Sequence, residues 1–299
     1  YYKKETNNYL IFSSSIYALK DFNEKNEVSS NALMFYQNLG RNDSSECFIK
    51  GIFKIKPGEL LIFAKNKKIL KKKYLKFKFS YKNFSENEIK KSIENIIKKQ
   101  FISDVPIALS LSGGVDSNII YHCLRKYHNE DINIYSFLFE DYEKFNEDFS
   151  IAKKNVSNFG GNLIPIQISY KDFIKYSEEA TTILEEPLRS EASVLNHVMA
   201  KNIKEKVLLT GDGGDELFTG YDQYRSIYFL SLINKVNIFK NFFENKKFIN
   251  KQLKRIFMKD SRELYLSFSE KNLYVEPEKY FKNYKELDIK KLNFNHAEK

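Results

Sequence analysis

The sequence contains no tryptophan and has two cysteines, three methionines and five prolines among 299 residues. Cys47 and Cys123 are too few for a disulfide framework and lack the spacing of a zinc site, which excludes modules built on either. No apolar run reaches the length of a membrane span, and no signal peptide is visible. These absences predict a cytoplasmic globular protein with no membrane partner.

Positive charge is in moderate excess. Lysine and arginine number 49 against 39 aspartates and glutamates, which gives a net charge of +10. A basic balance can indicate nucleic-acid binding, but a lysine-rich strand or loop edge also discourages unwanted sheet pairing. Much of the excess lies in one stretch, at Lys65, Lys67, Lys68, Lys71, Lys72, Lys73, Lys76 and Lys78. Because Lys, Asn, Ile, Tyr and Phe are abundant throughout, we attribute the charge to compositional bias and expect no nucleic-acid partner.

A glycine-rich stretch, Ser110–Ser117, lies between an apolar run and a segment with helical periodicity. That order predicts a strand, a tight turn and a helix. Two glycines allow close backbone approach, two serines add hydroxyl donors, and the helix start contributes free N–H groups. Together they predict an anion cradle, which is not a Walker loop because no Gly-Lys-Ser/Thr follows. The residues concerned are Ser112, Gly113, Gly114 and Ser117.

A carboxylate in such a cradle needs a cation between itself and a phosphate, so we interpret Asp116 as a Mg²⁺ ligand. The alternative is an ordinary turn with Asp116 in the first helical turn. A second stretch, Val207–Tyr221, is another apolar strand that breaks into glycines, here with Asp212, Asp215 and Glu216. Its spacing is not that of an EF-hand. Asp215 could complete the magnesium site.

Two phrases resemble a known family. Ser112–Ser117 (SGGVDS) resembles the pyrophosphatase loop of the ATP pyrophosphatase superfamily. Residues 211–221 (GDGGDELFTGY), with the following Tyr224, resemble the second signature of the asparagine synthetase family. The resemblance extends from about Tyr9 to about Arg225. It implies an α/β fold of the adenine nucleotide alpha hydrolase type, a parallel sheet with helices on both faces.

The resemblance also implies ATP and Mg²⁺ as cofactors, with Asp116 and Asp215 as metal ligands and Asp212 as the acid for acyl-adenylate chemistry. Phe139 ends a near-continuous apolar strand, where nucleotide sites form in open α/β sheets, so we expect its backbone or ring near the adenine. A core aromatic is the alternative for Phe139. The implied ATP contacts are Ser110, Leu111, Ser112, Gly113, Gly114, Asp116, Ser117, Thr210 and Gly211.

The domain organisation follows from the same resemblance. Residues 48–60 resemble the end of a glutaminase domain, so we expect residues 1–79 to be the last part of a β-rich N-terminal-nucleophile-type domain. Residues 80–299 would be the synthetase domain, truncated at its C-terminus because two later family phrases are missing. The family's glutaminase needs an N-terminal cysteine, whereas Tyr1 stands here and Cys47 lies well inside the chain. We therefore expect a fragment or processed chain that does not hydrolyse glutamine.

Other segments predict the frame around the two loops. Residues 84–99 predict a helix with a capping box at Ser85 and Glu88, and we expect its isoleucine stripe to be core. Helices are also expected at 170–184, near Ala192, and from Ser226 through 264–274. Strands are expected at 9–12, 59–64, 68–79 and 162–169, the last near an edge because of Pro165. Cys123 and the histidines are expected to be ordinary packed or surface residues.

Two further segments resemble family phrases. Phe145-Asn146-Glu147 resembles the family's Phe-Asp-Glu phrase that opens a helix, where Glu147 would favour the positive helix start. Glu185–Ser193 resembles its Asp-Glu-Pro segment, but Ser190 stands where an Asp is usual, and Leu195-Asn196 where a Pro is usual. These departures leave the identity of the acceptor open.

The sequence therefore predicts a ligase that adenylates a carboxylate with ATP, releases pyrophosphate and then amidates it. Aspartate to asparagine, with ammonia or glutamine as nitrogen source, is the favoured version. The same chemistry on another acceptor, as in amidotransferases and cyclases, is the alternative. A tRNA-modifying adenylase and a degenerate binding protein are less favoured, the former because it would lack GDGGDELF. A homodimer is left open as an assembly.

Overall fold

A computed structural model describes residues 1–4, 10–23, 25–63, 69–75, 83–128 and 132–235. The chain divides into two compact units, one made of residues 1–80 with 222–299 and the other of residues 81–221. The helices predicted beyond residue 235, including 264–274, and much of the lysine-rich stretch lie outside the described residues. The domain boundary near residue 80, with its functional assignment, stays a prediction.

The first unit contains a small antiparallel sheet of strand order β2-β1-β3 and a separate hairpin, β4-β5. The predicted strand at 9–12 and the Glu59 strand with its lysine-rich partner are confirmed in outline. Cys47 is fully buried in a core with Ile16, Leu19 and Ile52. The elements are β1 (Tyr2–Lys4), β2 (Leu10–Phe12), α1 (Tyr17–Lys20), α2 (Ser30–Leu39), β3 (Ile52–Phe53), β4 (Glu59–Phe63), β5 (Ile69–Lys73) and, at its end, helix Asp222–Lys235.

The second unit is built on a four-stranded parallel sheet, which confirms the predicted α/β class. Its strand order is β8-β7-β6-β9, and β8, with Pro165, is an edge strand as expected. The elements are α3 (Glu86–Gln100), β6 (Ile107–Ser110), α4 (Val115–Tyr127), β7 (Asn133–Phe139), α5 (Glu147–Phe159), β8 (Asn162–Ile168), α6 (Tyr170–Leu184), α7 (Glu191–Asn202), β9 (Val207–Leu209) and α8 (Gly214–Phe218). The first-unit helix at the end of the described chain is α9 (Asp222–Lys235).

Helices cover both faces of this sheet because successive strand residues point to opposite sides. On one face, Leu109 and Ile134 pack with residues of α4 and α5. On the other, Ala108 and Tyr135 pack with residues of α7, and partly buried aromatics of α6 join them. The sheet is therefore held from both sides, and its carboxyl edge is left for the loops.

Helix α3 begins as predicted but does not bury its apolar stripe. The Ser85 side chain accepts from the Glu88 N–H, and the Glu88 carboxylate accepts from the Ser85 N–H, which confirms the capping box. No residue of α3 is buried, and Ile96 is 55% exposed. The expectation that the stripe is core is therefore wrong. The stripe instead borders an apolar groove of about 620 Å³ between α3 and α4.

The amino-terminal edge of the sheet is tied by one carboxylate. Glu205 accepts from Asn133 Nδ2 at 2.6 Å and from the buried Tyr135 hydroxyl at 2.9 Å. Burial works to raise the pKa of Glu205, but the hydrogen bonds from Asn133, Tyr135 and backbone N–H groups outweigh it and hold that pKa below its usual range. The tie fixes the start of β7 beside the segment that leads into β9. Among the described residues, every helix is too short or too polar to cross a membrane.

Glu205→Gln should therefore destabilise the protein in a pH-dependent way. A carboxylate whose pKa is lowered by folding contributes stability above its unfolded pKa, and that contribution is lost as pH falls through the folded pKa. We expect the free energy of unfolding of the variant to be about 1 kcal/mol lower at pH 7, the difference between a charge-assisted and a neutral hydrogen bond, and this deficit to shrink below about pH 4. Urea unfolding at several pH values measures this. An equal deficit at every pH would contradict it, and Glu178→Gln on exposed α6 is the control.

Candidate active site

The two glycine-rich loops leave the sheet side by side. Strand β9 pairs with β6 in parallel, with Leu109 opposite Leu209, so both strands end at the same edge. The chain first builds outward from β6 to β7 and β8 and then returns to the other side of β6 as β9. Such a reversal opens a crevice at the carboxyl ends of the strands, where ligands of open α/β sheets bind. The two loops therefore share one crevice.

The loops also touch each other, which explains two glycines of the second loop. A Cβ added at Gly211 would lie 2.9 Å from the Ser117 N and 3.2 Å from the Asp116 Cβ. A Cβ added at Gly214 would overlap the Asp116 carboxylate itself. Only residues without a side chain allow the second loop to come this close to the first.

The first loop is held by its own serines. Ser117 is buried, and its hydroxyl lies 3.1 Å from the carbonyl oxygens of Ser112 and Gly114, to which it can donate. The Ser112 N–H donates to the Ser117 Oγ at 3.2 Å. Gly114 is the N-cap of α4, and because it has no side chain, no capping oxygen covers the first N–H groups of the helix. The start of α4 is thus open to an anion.

The crevice is a cavity of about 400 Å³ that collects the predicted residues. Gly113 is the one predicted site residue that does not line it. Instead, a Cβ at Gly113 would lie 2.5 Å from Asp148 Oδ1, so this glycine is where α5 packs onto the loop. The lining residues are Ser110, Leu111, Ser112, Gly114, Asp116, Ser117, Ser136, Phe137, Phe139, Phe145, Asp148, Ala192, Leu195, Asn196, Thr210, Gly211, Asp212 and Asp215.

Asp212 is oriented by its neighbour. The Thr210 hydroxyl donates to the Asp212 carboxylate at 3.0 Å and accepts from the Asp212 N–H at 3.4 Å. This local turn points one exposed carboxylate into the cavity at the end of β9. The close contact of Gly211 with Asp116 holds this carboxylate beside the first loop.

Comparison with known proteins assigns the family. The asparagine synthase family model matches residues 88–290. The chain belongs to this family. A Methanocaldococcus jannaschii protein with an asparagine synthetase name is 28% identical over 260 residues, covering 83% of this chain and 50% of that protein. Asparagine synthetase [glutamine-hydrolyzing] 1 of Bacillus subtilis is 26% identical over 230 residues, covering 75% and 36%.

A third relative carries a different name. Amidase chyE of Penicillium rubens is 30% identical over 207 residues, which cover 61% of this chain and 30% of that protein. The chain spans about half or less of the length of these relatives. The family membership therefore rests on the matched domain, while the activity of a whole asparagine synthetase is a separate question.

The carboxylates of this asparagine synthase domain fit a shared cation. Burial, and then the charges of Asp215 and Glu216, raise the pKa of Asp116 above its ordinary value. Within the described ranges, no group of three or more His, Cys, Asp or Glu side chains forms a metal site by itself. The arrangement fits Mg²⁺, which takes one or two carboxylates and completes its shell with phosphate oxygens and water.

Helix α7 carries the residues at which the sequence departs from the family pattern. Ser190 is the N-cap of α7, and its side chain makes no capping hydrogen bond. Leu195 and Asn196 on that helix line the cavity. Leu195 and Asn196 therefore lie on the wall of the cavity, whereas Ser190 stands at the start of the same helix.

Asp148, which lines the cavity, and its neighbour Asn146 were not predicted from the sequence. Asp148 directly follows the Phe145–Glu147 phrase at the start of α5, and this position could have indicated that it lies near the site. The Asn146 side chain hydrogen bonds the backbone of Phe139 at the end of β7, and the local sequence carries no signal for this contact. His197, as expected, is a helix residue, with its Nε2 3.2 Å from the Glu179 carboxylate.

Gly214→Ala should disrupt the site, because its Cβ would displace the Asp116 carboxylate. We expect at least about a hundredfold loss of Mg–ATP affinity, since a dislodged carboxylate forfeits a charge-assisted metal contact. The matched control is Gly213→Asn. Gly213 has φ +91° with nothing within 4 Å of an added Cβ, and asparagine tolerates positive φ better than most residues. Calorimetric titration measures both variants, and equal losses would contradict the packing argument.

Proposed function

We propose that this chain carries the synthetase site of an ATP-dependent amidating ligase. An oxygen of the acceptor carboxylate forms a bond to the α-phosphorus of ATP, the bond from that phosphorus to the bridging oxygen breaks, and pyrophosphate leaves. Ammonia then attacks the acyl carbon of the acyl-adenylate, and AMP leaves with the electron pair of the broken C–O bond. The favoured acceptor is aspartate, which would make the product asparagine.

One observation carries the proposal, namely that the Asp116 loop and the Asp215 loop meet over one cavity. A pyrophosphate leaving group accumulates negative charge in the transition state, so donors fixed around it lower the barrier. The open first turn of α4, with the Ser112 hydroxyl beside it, suits this role. When bound, Mg²⁺ would be held by Asp116 and Asp215 and would neutralise charge on the phosphates.

The remaining predicted residues have places in this scheme. Backbone groups of Ser110, Leu111, Thr210 and Gly211 would lie along the ATP, and Phe139 would lie at its adenine. An amine must be neutral to attack, so a carboxylate that accepts its proton or stabilises the positive charge is useful. Asp212, aimed into the cavity by Thr210, is our candidate for that task.

The nucleophile in this scheme is ammonia, whether supplied free or derived from glutamine. Cys47 is buried at 0% exposure, so its thiol is not presented to a substrate. Residues 1–79 would then act as the remaining part of a glutaminase-type domain, and residues 80–299 as the synthetase domain.

Helix α7, which forms one wall of the cavity, makes a second class of acceptor a specific candidate. Its Leu195 and Asn196 line the cavity where the family usually has a proline nearby. Ser190, at the start of the helix, replaces an expected Asp. An Asp at that position could pair with a substrate amine, whereas a serine hydroxyl cannot do so as strongly. The same adenylation chemistry on a carboxylate that lacks an α-amine would fit this wall.

The proposal predicts pyrophosphate release that depends on an acceptor. The chain is incubated with ATP, Mg²⁺ and ammonium in the presence of aspartate or of carboxylates without an α-amine, and pyrophosphate and AMP are counted. We expect equal amounts of both, with one acceptor class clearly preferred. Glutamine in place of ammonium should give no amide with these residues alone, because the thiols of Cys47 and Cys123 are both buried. Release of ADP and phosphate, or no ATP turnover with any acid, would contradict the proposal.

Asp212→Asn should separate the two half-reactions. If the Asp212 carboxylate assists the amine step, amide formation should fall by about a hundredfold, a usual size for general acid–base assistance. Acceptor-dependent exchange of labelled pyrophosphate into ATP should fall much less, because it reports adenylation. Asp104→Asn, on the exposed loop before β6, is the control and should change neither. Equal losses of exchange and amidation in Asp212→Asn would remove this role.

A further inference from the structure

At the end of β7, backbone groups face the cavity and not a neighbouring strand. Glu140 N–H donates to the Ile168 carbonyl on the β8 side at 3.1 Å. Because the peptide groups of successive residues in a strand point to opposite sides, the N–H and C=O of Phe139 point away from β8. On that side β6 has already ended, since its last residue Ser110 pairs with Tyr135. The Phe139 backbone groups therefore face the crevice and not a neighbouring strand.

One side chain occupies both of these groups. The Phe139 N–H donates to Asn146 Oδ1 at 2.8 Å, and Asn146 Nδ2 donates to the Phe139 carbonyl at 2.8 Å. The carboxamide orientation is fixed, because a backbone N–H can meet only the oxygen. Asn146 makes no side-chain capping bond to α5, although it is the N-cap residue. Its side chain is thus committed to the strand end.

This pairing has the pattern of an adenine edge. Adenine presents an amino donor next to a ring-nitrogen acceptor, and a carboxamide presents the same two functions at a similar separation. The N–H and C=O of Phe139 could hydrogen bond either with the Asn146 carboxamide or with adenine, but not with both at once. An aspartate at position 146 could take the N–H but, as a carboxylate, could not donate to the carbonyl.

The surroundings suit a base at this position. Phe139 lines the cavity, and the Phe145 ring meets the Phe139 ring edge-on with centroids 6.1 Å apart. Asp148, two residues after Asn146, packs against Gly113 of the first loop. A base held at Phe139 would therefore lie close to the loop that is proposed to hold the phosphates.

We propose that Asn146 is a built-in competitor of the nucleotide base. Its carboxamide holds the Phe139 peptide in the absence of nucleotide and must leave that peptide for adenine to pair there. The inference rests on the proposed function, since it places the adenine of ATP at Phe139. The consequence is that Asn146 weakens ATP binding while leaving the binding of the phosphates themselves unchanged.

The test compares ligands with and without a base on wild-type protein and two variants. Asn146→Ala removes both hydrogen bonds, and Asn146→Asp keeps the shape of the side chain but cannot donate to the Phe139 carbonyl. Binding of ATP and of inorganic tripolyphosphate is measured by calorimetry with Mg²⁺, and thermal melts verify folding. Asn162→Ala is the control, because Asn162 also hydrogen bonds an asparagine but lies at the opposite end of the sheet, where its Nδ2 donates to Asn133 Oδ1.

We expect both Asn146 variants to bind ATP about tenfold more tightly than wild type, the equivalent of one to two neutral hydrogen bonds. Tripolyphosphate affinity should stay within about twofold, because no base competes with Asn146 there. Asn162→Ala should match wild type for both ligands. Unchanged or weaker ATP binding in both folded variants, with tripolyphosphate binding retained, would overturn the inference and show that Asn146 is a structural tie. Failure of the wild-type protein to bind either ligand would instead overturn the proposed function, and this inference with it.

Discussion

The contact between the Asp116 carboxylate and the glycine loop after β9 is the constraint on which the rest of the site depends. A carboxylate that is partly desolvated and faces Asp215 and Glu216 is held in an unfavourable position, as the raised pKa of Asp116 records. Strained or destabilised groups persist where the surrounding structure over-determines them, and such places are often functional. Here the parallel pairing of β6 and β9 holds the Asp116 carboxylate in this position, because it brings both loops into one crevice.

The rest of the described second unit holds the sheet from which the two loops leave. Helices on both faces anchor the sheet through Leu109 and Tyr135, and Glu205 ties the opposite end of the strands. The loops at the carboxyl edge can therefore be rich in glycine and poor in packing without losing their positions. Stability and chemistry are separated along the strands, so substitutions at the Glu205 end should leave the crevice intact.

Much of the site could be predicted because the chemistry of glycine and aspartate is local. A glycine break after an apolar strand indicates a close approach, and the α/β class follows from alternating strands and helices. Relations across the sheet could not be predicted in the same way. The isoleucine spacing correctly predicted that α3 has one apolar face, but periodicity does not say which element covers that face. The Asn146 pairing depends on β7 outlasting β6, which is a matter of register, and local sequence does not encode it. Ser117 lines the cavity as expected of a site residue, but its hydroxyl also closes its own loop, a frequent competition for short hydroxyl side chains that the sequence does not reveal.

The most direct measurement of the central claim is a double-mutant cycle between the two loops. Asp116→Asn, Asp215→Asn and the double variant are compared for Mg–ATP affinity by calorimetry. If both carboxylates act on one shared cation and triphosphate, each single change should weaken binding strongly, and the double variant should be no weaker than the worse single by more than about twofold, since coupled sites are not additive. Losses that simply multiply would mean that the two loops act independently, and the account would be wrong.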